Sequence, residues 1–246
     1  MGFSLIIPAR YKSTRFPGKP LTPILGKPLI YHVIDKASEV IKKNEIYIAT
    51  DDDRIKDAVK EYGYNVVMTS SNCLTGTDRV AEASKSIESK YFINLQGDEP
   101  LIDSQDLIKA KNKKIEFPNH VINGYTEIKE NELVDHTSIP KVVINEKEEL
   151  IYMSRSRIPG SKNKNVNYKY LKQVCIYAFN KDELKKFYSR NKKGKLEKIE
   201  DIEILRFFED NIKIKMIRLN SESVAVDEKK DVKKVEKIIK KLLKKN

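Results

Sequence analysis

The chain has no tryptophan, two cysteines and three histidines in 246 residues. Cys73 and Cys175 are too few for a disulfide framework or a metal cluster. His32, His120 and His136 lack metal-ligand spacing, and His32 falls in an expected helix as a structural residue. No Ser-His-Asp arrangement is legible, which leaves no ground for a hydrolase triad. No apolar run approaches the roughly 18–20 residues of a membrane span. No GxxxxGK[ST] occurs, so a Walker phosphate loop is excluded. Internal repeats and low-complexity linkers are absent. The first residues pass directly into an apolar strand, so no signal peptide is expected. Reduced thiols suit a cytoplasmic location.

Acidic residues are in deficit. The net charge is +12 and the pI near 9.4, a balance that suits nucleic acid or an anionic membrane. The excess is uneven, however. Residues 228–246 hold nine lysines against Glu228, Asp231 and Glu236. Val232, Val235, Ile238, Ile239, Leu242 and Leu243 recur there at helical spacing, which describes an amphipathic helix with a solvated lysine face. No aromatic residue interleaves with these lysines, so a nucleic-acid partner is not expected.

What the sequence does contain is concentrated at its start. Leu5, Ile6 and Ile7 form a run of the kind buried in a parallel sheet, and Pro8 is expected to end the ladder. A loop follows with Arg10, Lys12, Arg15 and Lys19, interspersed with Ser13, Thr14 and Gly18. Four cations beyond the carboxyl end of a first strand occupy the place where open α/β sheets bind ligands, and their charge suits a polyphosphate.

Beyond the loop, helix is expected over 28–40, strand over 45–50, helix from the Asp51-Asp52-Asp53 cap to Tyr62, and strand over 65–68. Helix over 77–86 and strand over 91–95 continue the alternation, which predicts a largely parallel sheet. From about Asn119 the pattern changes to strands over 121–125, 141–144, 150–153 and 174–179, with a loop over 157–167. Helices at 181–189 and 196–209, a strand at 213–218 and the terminal helix complete the chain. The expected architecture is α/β, a mixed, mostly parallel central sheet flanked by helices with a partly antiparallel second half. It forms one domain over 1–246, with about 120–180 as a subsidiary region.

Four constellations bear on chemistry. In Asn94-Leu-Gln-Gly-Asp-Glu-Pro100, Gly97 permits a sharp turn after a strand, and Asp98 either caps that turn or faces the basic loop as a ligand for Mg²⁺. Asp227 follows Val224-Ala-Val226 and reads by itself as a helix cap. Leu74-Thr-Gly-Thr-Asp-Arg79 opens a helix, either as ordinary capping or as backbone donors for a base or phosphate. Arg155 and Arg157, in Tyr152-Met-Ser-Arg-Ser-Arg-Ile-Pro159, are either exposed salt-bridging residues or a fork for a carboxylate.

These stretches, in order, resemble the 3-deoxy-manno-octulosonate (Kdo) cytidylyltransferases, or CMP-Kdo synthetases. The similarity runs from IIPARYKSTRFPGKPL and GKPLIYHV through LQGDEPLI, PKVV, YMSRSRIP and LEKIEDIEILR to VAVDEKKDV. It implies a nucleotide-diphospho-sugar transferase-like fold. It implies a CTP site of Ala9, Arg10, Ser13, Arg15, Lys19, Thr75, Gly76, Arg79 and Gln96, with Arg10, Lys19 and Asp98 catalytic. It implies Mg²⁺ on Asp98 and Asp227, an acidic-sugar site of Arg155, Gln173, Tyr177, Glu200 and Glu203, and a homodimer formed through the second half. The implied reaction is attack of the sugar's anomeric hydroxyl on the α-phosphorus of CTP with release of pyrophosphate.

The sequence departs from the family pattern on the sugar side. In the HxGIYAY strand His is replaced by Gln173 and Gly by Cys175. In EQLR, Gln is replaced by Ile204. After Ile158-Pro159 stands Gly160 where an aromatic is usual. CTP use is therefore the firmer expectation. The acceptor is Kdo, amino-Kdo or another acid such as a nonulosonic acid, and a nucleotide-binding homologue without turnover is a separate reading.

Overall fold

The computed structural model describes residues 2–13, 15–163, 168–220 and 224–244. Thr14, in the basic loop, and 164–167, in the loop expected over 157–167, lie outside the described residues.

The elements, in chain order, begin with β1 (Phe3–Ala9), a short hairpin of β2 (Pro23–Ile24) and β3 (Lys27–Pro28), α1 (Leu29–Ser38), β4 (Ile46–Thr50), α2 (Asp53–Glu61) and β5 (Asn65–Met68). They continue with α3 (Gly76–Ala83), β6 (Tyr91–Leu95), α4 (Ser104–Glu116), β7 (Val121–Glu127), β8 (Lys141–Ile144), β9 (Leu150–Ser154) and β10 (Leu171–Asn180). The chain then forms α5 (Lys181–Ser189), α6 (Lys195–Glu200), α7 (Leu205–Glu209), β11 (Ile214–Arg218) and α8 (Lys229–Leu243).

The central sheet has the order β11-β7-β10-β6-β1-β4-β5. Neighbouring pairs are parallel except at β10, which runs antiparallel to both β6 and β7. The β8–β9 pair extends from the start of β10. The fold is thus the mixed, mostly parallel sheet flanked by helices that the sequence predicts. Alternation along β1 explains its unbroken apolar run: Leu5 and Ile7 enter the core with α1, α2 and α4, whereas Ile6 enters the opposite core with α3, α5 and α7. A third cluster of Phe16, Ile24, Leu29, Val226 and Val235 fastens α8 to the hairpin.

Two local expectations are corrected, and one helix is added. Pro8 does not end the ladder, since β1 continues to Ala9 with Pro8 opposite Ala49. The β6 side of β1 carries no ladder beyond Ile6, so a residue without an N–H is tolerated there. Helix α4 has no counterpart in the sequence reading. Its inner face includes Lys114, fully buried on Glu183 at 2.7 Å, and that lysine breaks the apolar periodicity. The single helix expected over 196–209 is two, parted at Asp201, which has φ 50. This break brings Glu203 to the start of α3.

Candidate functional site

A cavity of about 270 Å³ opens at the carboxyl end of the parallel strands. The β1 loop supplies Arg10, Ser13, Arg15 and Lys19, the segment opening α3 supplies Thr75, Gly76 and Arg79, and the turn after β6 supplies Gln96, Gly97 and Asp98. Lys193, Asp201, Glu203 and Asp227 complete the polar wall.

Gly97 makes this convergence possible. A Cβ on it would stand 2.8 Å from the main-chain carbonyl of Pro8, closer than backbone can yield, so only glycine lets the β6 turn lie against the end of β1. Asp98 then meets Lys19, whose Nζ lies 2.6 Å from Oδ2. The main-chain N–H of Val226 donates to the Asp98 carbonyl at 2.9 Å. That bond, with Val226 buried in the α8 cluster, delivers Asp227 to the same cavity. Asp227 faces Arg15 at 3.3 Å. Two carboxylates remote in sequence therefore line one site, each beside a cation of the β1 loop.

The start of α3 is prepared differently. Thr75 caps the helix, accepting from the Asp78 N–H at 3.2 Å and donating to Asp78 Oδ2 at 2.6 Å. Glu203 accepts from the N–H groups of Gly76 and Thr77 at 3.1 and 2.8 Å. Burial pushes the Glu203 carboxyl up against the opposing pull of these donors. Asp78 is held by Arg206, fully buried, with contacts of 2.7 and 3.0 Å, and Arg206 grips Glu197 with two further contacts of 2.6 Å. This buried Asp–Arg–Glu set locks α3 to α6 and α7. In the sequence Arg206 stands within the LEKIEDIEILR motif, and its signal there is an arginine on the inward face of a helix. Arg79 is also buried, bonded to Thr69 and 3.3 Å from Asp51. Gln96 lies over Gly76, where a Cβ would approach its amide to 3.1 Å.

The residues expected to bind a sugar are divided. Glu203 lines the cavity, but Arg155, Gln173, Tyr177 and Glu200 do not. Arg155 directs its guanidinium to the carbonyls of Thr137, Glu200 and Asp201. The Glu200 carboxylate accepts from Ser154 Oγ at 2.7 Å and from the Arg155 N–H at 2.8 Å. Gln173 is buried and donates to Asn123 Oδ1 at 3.0 Å and Tyr177 Oη at 3.2 Å. Gln173 and Tyr177 stand at a bulge in β10, where the register shifts between Val174 and Tyr177. Asn123 donates to the Val174 and Ile176 carbonyls at this bulge. Tyr177 and Cys175 are raised chiefly by burial, with the charges of Glu99 and Glu203 adding to it. Ile204 is 1% exposed within the apolar core and does not face the cavity.

Among the described residues no helix is long and apolar enough to cross a membrane, and no group of three His, Cys, Asp or Glu side chains forms a metal cluster.

A family model for cytidylyltransferases matches residues 4–214. The 8-amino-3,8-dideoxy-manno-octulosonate cytidylyltransferase of Shewanella frigidimarina is 41% identical over 243 residues, covering 96% of this chain and 98% of that protein. The protein of the same name from Shewanella piezotolerans is 40% identical, covering 94% and 96%. A solved structure of CMP:2-keto-3-deoxy-manno-octonic acid synthetase complexed with CTP matches with a TM-score of 0.90 at 35% identity, over 98% of this chain and 99% of that one. The 4-diphosphocytidyl-2C-methyl-D-erythritol synthase of Anaerococcus prevotii, at 19% identity and a TM-score of 0.62, shares the fold. The chain belongs to the cytidylyltransferase family, among the 3-deoxy-manno-octulosonate cytidylyltransferases, and is a CTP-dependent nucleotidyltransferase.

Proposed function

We propose that this enzyme transfers CMP from CTP to the anomeric hydroxyl of Kdo or of its 8-amino derivative, releasing pyrophosphate. The observation that carries the reading is the single cavity in which Arg10, Arg15 and Lys19 meet Asp98 and Asp227. Near-full-length relatives named for the 8-amino sugar support that acceptor class, and the CTP complex of the matching structure supports the nucleotide.

Two carboxylates on one cavity wall are hard oxygen donors of the kind Mg²⁺ takes, with phosphate oxygens and water completing the shell. The residues therefore fit this metal, and Asp98 and Asp227 would hold it. Mg²⁺ there supplies charge neutralisation and orientation of the phosphates. Arg10, Arg15 and Lys19 bind the triphosphate and neutralise the pyrophosphate as it leaves. Ala9, Ser13, Thr75, Gly76 and Gln96 form the remaining nucleotide contacts, backed by Arg79, which Thr69 and Asp51 hold in the cavity wall. Gln173 and Tyr177, beside the bulge, shape the acceptor side together with Glu203. The protein's contribution is positioning and electrostatics around an in-line displacement. We place the enzyme in the cytoplasm, working as a homodimer through the 120–180 region, where Ile151 is 49% exposed.

Pyrophosphate release from CTP and Mg²⁺, with Kdo, 8-amino-Kdo and a nonulosonic acid in parallel, tests the reading. Release with either octulosonate supports it. Release with the nonulosonic acid alone, or with none while CTP binds, overturns it.

A further inference from the structure

An acidic acceptor brings a carboxylate to the site, and that carboxylate needs a cation. Arg155 is outside the cavity with its guanidinium on three carbonyls. Arg79 lines the cavity but is committed to Thr69 and Asp51. The remaining cations of the first half lie on the β1 loop and face a triphosphate in the reading above. Among the described residues one further cation lines the cavity, and it comes from the second half: Lys193, between α5 and α6.

Lys193 is mounted on a fixed point. The next residue, Gly194, is buried, and a Cβ there would stand 1.6 Å from Glu209 Oε2. Its N–H donates to Glu197 Oε2 at 2.9 Å, and Glu197 is gripped in turn by Arg206. The Lys193 side chain is 32% exposed, and its Nζ lies 2.9 Å from Asp201 Oδ1. Asp201 is 73% exposed and sits at the break between α6 and α7. It is held below the ordinary carboxyl range, first by the Lys193 hydrogen bond and then by the charges of Lys193, Arg155 and Arg15. An exposed partner of this kind regains water when displaced, so the pair exchanges readily.

We propose that Lys193 binds the acceptor's carboxylate, which takes the place of Asp201 at the ammonium when the acid enters. This assignment rests on the nucleotidyl-transfer reading. The exchange keeps one carboxylate on Lys193 throughout, and it puts a charge-assisted contact on the acceptor from a side chain separate from the phosphate-binding loop.

Steady-state kinetics with the acceptor and CTP varied in turn, on the wild type, Lys193→Ala, Lys193→Arg and Asp201→Asn, test it. Lys193→Ala raises the acceptor KM by about tenfold or more and leaves the CTP KM within about twofold. Lys193→Arg recovers most of the loss. Asp201→Asn, which removes the competing carboxylate, leaves the acceptor KM unchanged or lowers it. The C1 amide of the acceptor, tested as a competitive inhibitor, binds Lys193→Ala and wild type equally, an equality that a merely structural role would not produce. An unchanged acceptor KM in Lys193→Ala, or a rise confined to CTP, overturns the assignment. A wild type that turns over no acid in the panel refutes the nucleotidyl-transfer reading and this assignment with it, and the wild-type rate separates the two failures.

Discussion

The ammonium of Lys19 lies 2.6 Å from Asp98 Oδ2, so the basic loop beyond β1 neutralises a carboxylate of the turn after β6. Arg15 repeats the relationship with Asp227 at 3.3 Å. Two cations of the basic loop are thus each paired with a carboxylate of the same cavity. On the proposed reading, Asp98 and Asp227 would hold the metal and Lys19 and Arg15 the phosphates, so that binding of metal and nucleotide would be mutually dependent.

Asp98→Asn separates these effects. The variant no longer engages Lys19 as an ion pair, so CTP binding in EDTA tightens, while Mg²⁺-dependent pyrophosphate release falls by about 100-fold or more. Calorimetry in EDTA and the release assay check the two halves. Weaker metal-free binding would show that the Lys19–Asp98 pair does not compete with the nucleotide.

Gly97→Ala forces the β6 turn away from Pro8, because the added Cβ meets backbone at 2.8 Å. The expected cost is about 1–3 kcal/mol, read as a lower urea midpoint, together with a raised CTP KM. A variant as stable as the wild type would contradict the close approach.

Arg206→Met leaves Asp78 and Glu197 buried without their shared cation. Removal of one member of a buried ionic set costs about 3–5 kcal/mol. A drop in Tm accompanied by loss of CTP affinity is expected, since Asp78 also braces the Thr75 cap. Loss of less than about 1 kcal/mol would exclude this bracing role.

Ile204 and Gln173 separate packing from specificity. Ile204→Gln buries an amide in the apolar core and destabilises the protein by about 1–3 kcal/mol without changing acceptor preference. Gln173→His alters a residue bonded to Asn123 and Tyr177 and changes the ratio of kcat/KM for Kdo and 8-amino-Kdo. A preference shift from the Ile204 variant alone would reverse these roles.

Cys73 links stability to pH. Burial, reinforced by its hydrogen bond to Glu82, pushes its thiol up to about 12, whereas an unfolded cysteine titrates near about 8.5. As pH rises past the unfolded value, the unfolded chain loses this proton first and binds fewer protons than the folded one. The contribution to stability is therefore complete below that value and is lost through the folded one. Denaturant titrations from pH 8 to 10 should show a smaller decline for Cys73→Ser than for the wild type. Iodoacetamide should label Cys73 slowly at pH 8. Rapid labelling of the folded protein would show that the thiol is not held protonated.

Much of the fold was legible because its signals are local. The apolar runs of β1, β5 and β6 and the capped starts of α2 and α3 follow from residues within one turn or one strand of each other. Helix α4 escaped because Lys114, charged yet fully buried, depends on Glu183 in α5. The break at Asp201 escaped because a non-glycine residue at positive φ has no reliable sequence mark.

The sequence by itself determined the class of sheet, the basic loop beyond the first strand, the turn glycine at 97 and the pairing of an Asp after β6 with a family pattern. Only the tertiary structure decided which of the candidate residues share a cavity. The Val226–Asp98 backbone bond brings Asp227 to the basic loop, whereas three carbonyls claim Arg155 and hold its guanidinium outside the cavity. The physical reason is that a side chain's role depends on which partners satisfy its charge and hydrogen bonds. Those partners come from segments whose closeness is fixed by packing across the whole chain.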